Sequence, residues 1–216
     1  MKHILKTEAD WLAIRKDYIT ASEAAVLVGA DPYSSPKAIK EPSTFTGNAF
    51  TLVGQLLEPV VANLTNIVLG THFEIYETSD GTKEFYTNGH FGATPDAHQD
   101  RKILLECKTT RPKTFIKYGA VPPSKYMIQN IIQQMCVDGL EADYGYISVM
   151  STDLTQHTSE INWPISIFKI WKDEALCTIL QEEAERFKTA KTFRVNSKVK
   201  QRVKILLGMI CERINV

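Results

Sequence analysis

Thr94-Pro95-Asp96 and, after a short interval, Leu104-Leu105-Glu106-Cys107-Lys108 form the stretch on which the fold turns. Residues 90–97 and 102–110 read as two strands joined by a turn near Asp100. Alternate residues of a strand share a face. Glu106 and Lys108 therefore project together, and Leu105 and Cys107 point to the opposite side. Asp96 precedes Glu106 by ten residues. A hairpin near Asp100 brings it beside Glu106, so two carboxylates and an ammonium converge at one end of a sheet.

Two carboxylates held a few ångströms apart repel each other, and a divalent cation relieves that repulsion. Hard oxygen donors suit Mg2+, or Mn2+ in its place, with water completing the octahedron. Such an ion polarises a phosphoryl oxygen and acidifies a bound water. Lys108 can orient that water or offset negative charge. The main-chain carbonyl of Cys107 is a further candidate ligand. The set suits metal-assisted hydrolysis of a phosphodiester. A second reading stands beside it: Glu and Lys two apart also occur as a solvated pair on a strand, and Pro-Asp is a common turn dipeptide.

Outward from this hairpin the pattern alternates between helices and strands. Towards the N-terminus, residues 7–17 read as a helix capped by Thr7, and Thr20-Ala-Ser-Glu23 is a capping box opening a helix that stops at Gly29. Residues 34–40 suit a helical turn and 41–48 a loop. A longer helix over 49–69 ends at Gly70, and Pro59 is expected to kink or divide it. Residues 72–78 and 83–87 read as strands around a Ser79-Asp80-Gly81 turn, with Asn88-Gly89 as the next turn. Beyond the hairpin, 111–119 is irregular or partly helical. A helix over 124–139, strands at 143–150 and 158–168, and helices at 169–190 and 196–214 follow. The aromatic residues read as core. The order predicts an α+β (mixed α/β) fold, a central mixed, mostly antiparallel sheet flanked by helices. One domain spans 1–216, its core at about 11–168 and a basic helical segment at about 169–216.

The chain has 216 residues, 25 basic and 25 acidic, and no formal net charge. That length suffices for a full core without disulfides or structural metal. Cys107, Cys136, Cys177 and Cys211 form no C-x-x-C pair, which excludes the usual zinc and iron–sulfur patterns and predicts buried reduced thiols. No uninterrupted apolar run approaches the roughly 18 to 20 residues of a membrane span. The N-terminus offers only Ile4 and Leu5 as an apolar patch, too short for a signal-peptide core. The expectation is a cytoplasmic protein without a membrane partner.

Five segments in order carry a family resemblance. They are Trp11-Leu-Ala-Ile-Arg15 with Ile19-Thr20-Ala21-Ser22-Glu23; Gly54-Gln-Leu-Leu-Glu58; Gly92-Ala-Thr-Pro95-Asp96; Leu105-Glu106-Cys107-Lys108; and Tyr126-Met-Ile-Gln129. Together the set resembles the lambda-exonuclease and YqaJ-type viral recombinase family of the PD-(D/E)xK superfamily. The resemblance implies a restriction-endonuclease-like core in which Asp96, Glu106 and the Cys107 carbonyl bind Mg2+ and Lys108 is the catalytic lysine. It implies that Glu58 acts on the metal or its waters and that Gln129 positions the nucleophile or the lysine. Gln133, one helical turn on, reaches the same side. Arg15, Ser22 and Thr20, with Thr94, would hold a 5′-terminal phosphate. Independently of any family, a guanidinium, hydroxyls and a helix N-terminus suit such an anion. The chain departs from the family in carrying Ala97-His98 where Gly commonly follows the Pro-Asp.

The resemblance further implies a 5′-to-3′ exonuclease acting on linear double-stranded DNA ends and leaving 3′ single strands. A ring-shaped homotrimer, a single-strand annealing partner and a phage or prophage origin in a bacterial host belong to the same implication. An endonuclease of the same superfamily and a catalytically silent DNA-end-binding protein are the alternatives. Charge placement bears on all three. Residues 186–216 hold nine cations and one acid, Glu212, for a net +8, and the other 185 residues carry −8. A basic tail suits phosphate contact; a lysine-rich solvated helix face is the other reading. Cations at 198, 200, 202 and 204 alternate by two, which also admits a strand-like segment there.

Overall fold

The computed structural model describes residues 1–40, 48–75, 83–118, 121–137, 139–152 and 164–214. In chain order these form β1 (Lys2–Leu5), α1 (Glu8–Arg15), β2 (Ile19–Thr20), α2 (Ala21–Leu27), α3 (Pro36–Lys40), α4 (Ala49–Leu69), β3 (Glu74–Ile75), β4 (Lys83–Asn88) and β5 (Phe91–Ala93). There follow β6 (Ala97–Gln99), β7 (Ile103–Thr110), α5 (Pro112–Lys117), α6 (Ser124–Cys136), β8 (Tyr144–Ser151), β9 (Ile165–Trp171), α7 (Glu174–Thr189), α8 (Ser197–Met209) and β10 (Cys211–Ile214). The class is the expected mixed α+β, but the strands divide between two sheets. One runs β1-β4-β5-β2 and the other β10-β9-β8-β7-β6-β3. Each contains one parallel pair, β2 with β5 and β7 with β8, among antiparallel neighbours.

The expected strand over 90–97 is two strands in different sheets. Pro95 has no N–H to give a ladder, so pairing lapses between β5 and β6 and the chain crosses from one sheet to the other there. The turn near Asp100 forms as expected. Asp100 and Arg101 both have left-handed backbone, with φ of 50° and 58°, and Lys102 N–H donates to Gln99 O at 2.8 Å. That is the tight turn whose twist suits a hairpin.

The large sheet is covered on both faces. Leu104, Ile147, Val149 and Phe168 join a core with α2, α6, α7 and α8. Leu105, Cys107, Ile165 and Ile167 pack instead with Val61 and Ala62 of α4. The strand alternation thus places Leu104 in one core and Leu105 and Cys107 in the other. Helix α4 is continuous through Pro59 rather than divided. Pro59 is exposed, so the carbonyl it leaves without an N–H partner faces water. By length and composition Thr51–Leu69 is also apolar enough to cross a membrane, with a mean hydropathy of 1.4. This differs from the expectation based on apolar runs, because Glu58 and scattered polar residues interrupt the run while the surrounding apolar residues keep its mean high. Here Val61, Ala62 and Thr65 are buried, and Thr65 Oγ1 donates to Ser148 Oγ of β8 at 2.7 Å.

Other boundaries moved for identifiable reasons. Thr7 caps α1, its hydroxyl accepting from Asp10 N–H at 3.1 Å. Residues 169–171 belong to β9, and the following helix starts later than expected because Asp173 caps it, accepting from Leu176 N–H at 2.7 Å. The last predicted helix stops at Met209, and Cys211–Ile214 pairs antiparallel with β9. Residues 197–209 are helical, which excludes a strand-like segment at 198–204. β1 and β2 had no counterpart among the predicted elements. The 41–47 loop, the Ser79-Asp80-Gly81 turn, the 76–78 end of one predicted strand and the 158–163 part of another lie outside the described residues. Cys107, Cys136 and Cys177 are buried free thiols, as expected, while Cys211 is partly exposed.

Candidate active site

Ala97 pairs with Leu105 across the β6–β7 hairpin, and continuing that register sets Asp96 opposite Glu106. Asp96 Oδ2 accepts from the Cys107 amide at 2.8 Å. Glu106 is fully buried, which discards the solvated-pair reading of Glu106 and Lys108. Its Oε1 pairs with Lys108 Nζ and accepts from Gln129 Nε2 at 2.5 Å. Its Oε2 accepts from Gln133 Nε2. A carboxylate with no solvent is tolerated only when paired and hydrogen-bonded, and here each oxygen has a side-chain donor. The choice between Gln129 and Gln133 therefore dissolves: α6 supplies one glutamine to each oxygen.

The electrostatics follow from this crowding. Burial raises Asp96 well above the ordinary aspartate range, and Glu106 and Glu58 push the same way; Lys108 and the Cys107 amide oppose them. Burial pulls the Lys108 ammonium down, but Glu106 and Asp96 outweigh it and leave its pKa raised. The Cys107 thiol is pushed well up, by burial first and then by Asp96 and Glu106, so it stays protonated and lies in the α4 core. Glu58 is partly buried on α4 and acts electrostatically on Asp96 and Cys107. Nearby, Gly54 of α4 faces Thr109 of β7.

The donors available to a metal here are oxygens: Asp96, Glu106, Glu58 and the Cys107 carbonyl. Among the described residues no three His, Cys, Asp or Glu side chains close around one point as a cage. A hard ion that keeps several waters and takes one or two carboxylates plus a substrate phosphate fits such a donor set. A soft or fully caged ion does not.

The second cluster sits on the neighbouring sheet. Thr20 pairs with Gly92 across β2 and β5, and the chain from β5 leads through Thr94 to Asp96. Trp11 Nε1 donates to Thr94 Oγ1 at 3.1 Å. The Arg15 guanidinium lies 4.1 Å from the centre of the Trp11 ring. Burial lowers the Arg15 pKa while Glu23 pushes it back up; a guanidinium stays charged regardless. Thr20 and Ser22 hydroxyls lie 3.1 Å apart, and the Glu23 carboxylate accepts from both Thr20 N–H (2.9 Å) and Thr20 Oγ1 (2.7 Å). Ser22 is exposed. The four residues expected at an end phosphate are thus linked, through Trp11 and the Thr20–Gly92 pairing, to the strand break that carries Asp96.

Trp11 is the residue sequence reasoning missed. It ties Arg15 to Thr94, and its place within the Trp11–Arg15 segment was the available signal. His98 accepts from Arg101 N–H at 3.1 Å inside the hairpin, and burial lowers its pKa. It ties the end of β6 to the hairpin turn.

Comparison with known proteins agrees with this architecture. The fold is shared with an alkaline exonuclease (LHK-Exo) from Laribacter hongkongensis, at TM-score 0.59 and 19% identity, covering 93% of this chain and 97% of that one. The structure of LHK-Exo in complex with dAMP aligns with the same TM-score and coverage at 20% identity. A phage related exonuclease from Haemophilus somnus 129PT aligns at TM-score 0.60 and 13% identity, covering 91% and 99%. A search of curated protein sequences gave no match. Residues 10–141, well over half the chain and including every candidate site residue, match the family model of the YqaJ-like viral recombinase domain. The chain belongs to the YqaJ-like viral recombinase domain family.

Proposed function

We propose that this protein is a Mg2+-dependent exonuclease that digests linear double-stranded DNA from the 5′ end and leaves 3′ single strands for recombination by annealing. The observation that carries the proposal is the buried Glu106 carboxylate, held by Lys108, Gln129 and Gln133 opposite Asp96. Crowding a fully buried acid against a second acid and a lysine, both only partly exposed, is costly for stability alone, and phosphodiester hydrolysis is a use for the arrangement. Family membership and the shared alkaline exonuclease fold support the same activity.

Asp96, Glu106 and the Cys107 carbonyl would hold Mg2+, or Mn2+ in its place, with Glu58 beside them. When bound, the ion supplies positive charge for the phosphoryl oxygen and lowers the pKa of a water. Lys108, kept charged by its acidic neighbours, steadies negative charge on the scissile phosphate. Gln129 and Gln133 hold Glu106 in one rotamer. Arg15, Ser22, Thr20 and Thr94 would grip the 5′-terminal phosphate, which gives the enzyme its direction. A ring-shaped homotrimer around the duplex would keep the substrate captive between cuts. Exposed Leu52, Leu56 and Ile67 on α4 are apolar surface suited to a subunit contact. The protein would work in the cytoplasm of a bacterial cell as a phage or prophage product, passing its 3′ strand to an annealing protein.

The decisive experiment incubates the protein with Mg2+ and linear duplexes labelled at one end or the other, with 5′-phosphate or 5′-hydroxyl, alongside a covalently closed circle. Loss of the 5′ label from phosphorylated linear duplex, with the circle intact, is expected. Cleavage of the circle would make it an endonuclease, and binding without hydrolysis would make it an end-binding protein.

A further inference from the structure

A cleft of about 570 Å3 opens beside the candidate active site, between the end of α2, the segment before α6, and α8. Lys125, Lys200 and Lys204 line it together with Tyr33 and Tyr118, over a floor that includes Val203 and Leu207. Among the described residues that line it none is acidic; adjacent Asp31 accepts from Tyr33 N–H at 2.9 Å. Tyr33 is 90% exposed, the opposite of the core role expected for the aromatics. Lys200 and Lys204 are one helical turn apart and face the cleft, while Lys198 and Arg202 fall on the far side of α8. Gly29 keeps room for Lys200: a Cβ there would meet Lys200 Cδ at 3.1 Å and Val195 at 3.0 Å.

The cleft is one ring away from the candidate active site. Lys108 Nζ and Lys125 Nζ each lie 5.5 Å from the centre of the Tyr126 ring. Tyr126 meets Tyr118 edge-on at 6.4 Å, and Tyr118 lines the cleft. Helix α2 joins the cleft to the Thr20–Ser22 cluster: Thr20 and Ser22 stand at its start and Gly29 beyond its end, about 10–14 Å away at 1.5 Å per residue. Ammonium groups that can follow a phosphate backbone, next to aromatic faces that can stack on bases, form the usual platform for single-stranded nucleic acid. The volume suits one or two nucleotides and excludes a duplex.

We infer that this cleft binds single-stranded DNA, with phosphates on Lys200, Lys204 and Lys125 and a base stacked on Tyr33. It holds the unpaired strand next to Lys108. The substrate class rests on the nuclease proposal; the cleft's chemistry does not. It also gives the basic C-terminal segment a division of labour, since only one face of α8 is used.

The test uses the full chain in EDTA and a fluorescein-labelled 5′-hydroxyl oligothymidylate, read by anisotropy over a range of salt. Lys200→Ala/Lys204→Ala should weaken binding by about fivefold or more and reduce the salt slope by about 1.4, the single-strand value for two phosphates. Tyr33→Ala should weaken it about tenfold, the scale of one base–aromatic stack. Lys198→Ala/Arg202→Ala removes the same charge and should change affinity less than about twofold. Equal losses from the two double variants, or an unaffected Tyr33→Ala, would overturn the cleft. Hydrolysis of linear duplex in Mg2+ is scored separately. Selective loss in a protein that never cuts DNA leaves the cleft standing and removes the nuclease proposal. Cutting without selective loss does the reverse.

Discussion

The Cys107 amide donates to Asp96 Oδ2 at 2.8 Å, so the strand that carries Glu106 and Lys108 also fixes the carboxylate facing them. A backbone donor between two site side chains cannot be removed by a side-chain change. The orientation of Asp96 is therefore built into the β6–β7 register and survives conservative substitution at Asp96 itself.

Asp96→Asn keeps an oxygen for that amide and removes a carboxylate that burial, Glu106 and Glu58 all disfavour. A group whose folded pKa is raised stabilises the fold below its unfolded pKa and loses that contribution as pH rises through the folded value. In EDTA the wild-type protein should therefore lose stability as pH climbs from the ordinary aspartate range through the raised one. At neutral pH the Asn variant should melt higher by about 2–4 °C, the response of a chain this size to roughly 1 kcal/mol. Mg2+ should raise the melting temperature of the wild type and not of the variant. Thermal melts across pH, with and without Mg2+, measure all three effects. A variant that melts lower in EDTA would contradict the charge crowding.

Gln133→Ala leaves Glu106 Oε2 without its side-chain donor at a position with no solvent. An unsatisfied buried acceptor costs about 1–3 kcal/mol, more when charged. Gln129→Ala removes a donor from Oε1, which keeps Lys108. Urea unfolding should thus show a larger loss for Gln133→Ala than for Gln129→Ala. Both should cut nuclease activity about 10–100-fold, the usual scale for residues that orient a metal ligand. Equal stability losses would mean the two glutamines are not divided between the oxygens.

The contrast between the two glutamines shows what the sequence could tell. Their shared helical face was legible, because i and i+4 spacing is a local property; that Glu106 would be fully buried between them was not. The Glu106–Cys107–Lys108 alternation was legible for the same local reason. The break at Pro95 was harder, since a proline is compatible with an edge strand as well as with a change of sheet. β10 was out of reach: Cys211–Ile214 continues a helical stretch in composition, and only its pairing with β9 makes it a strand. The +8 segment was visible as charge, but its useful face emerges only when α8 packs Val203 and Leu207 inward.

Gly92 lies where Thr20 of β2 meets β5. A Cβ there would overlap the Phe85 ring and approach Tyr18 Cβ at 3.1 Å. Phe85 is itself buried, so it has little room to yield. Gly92→Ala should destabilise the protein by about 1–3 kcal/mol, as overpacking does, and disturb the pairing of Thr20 with β5. Urea unfolding measures the first effect. Wild-type stability would show that β4 and β5 have more slack between them than the Phe85 contact allows.

Arg15 lies 4.1 Å from the Trp11 ring centre, and Trp11 is hydrogen-bonded to Thr94. If this chain of contacts aims the guanidinium at a 5′-terminal phosphate, Arg15→Ala should remove a charge-assisted bond worth about 1.5–3 kcal/mol. The preference for 5′-phosphorylated over 5′-hydroxyl duplex should then fall by about tenfold or more. Arg15→Lys should recover only part of it, because an ammonium keeps the charge but not the planar fork. Trp11→Phe keeps the aromatic face beneath Arg15 and deletes the donor to Thr94, so it should lower the same preference more weakly. Initial rates on the two substrates, taken as a ratio for each variant, separate a change in end recognition from a general loss of activity. An unchanged ratio in Arg15→Ala would move the end-phosphate contact elsewhere on the protein.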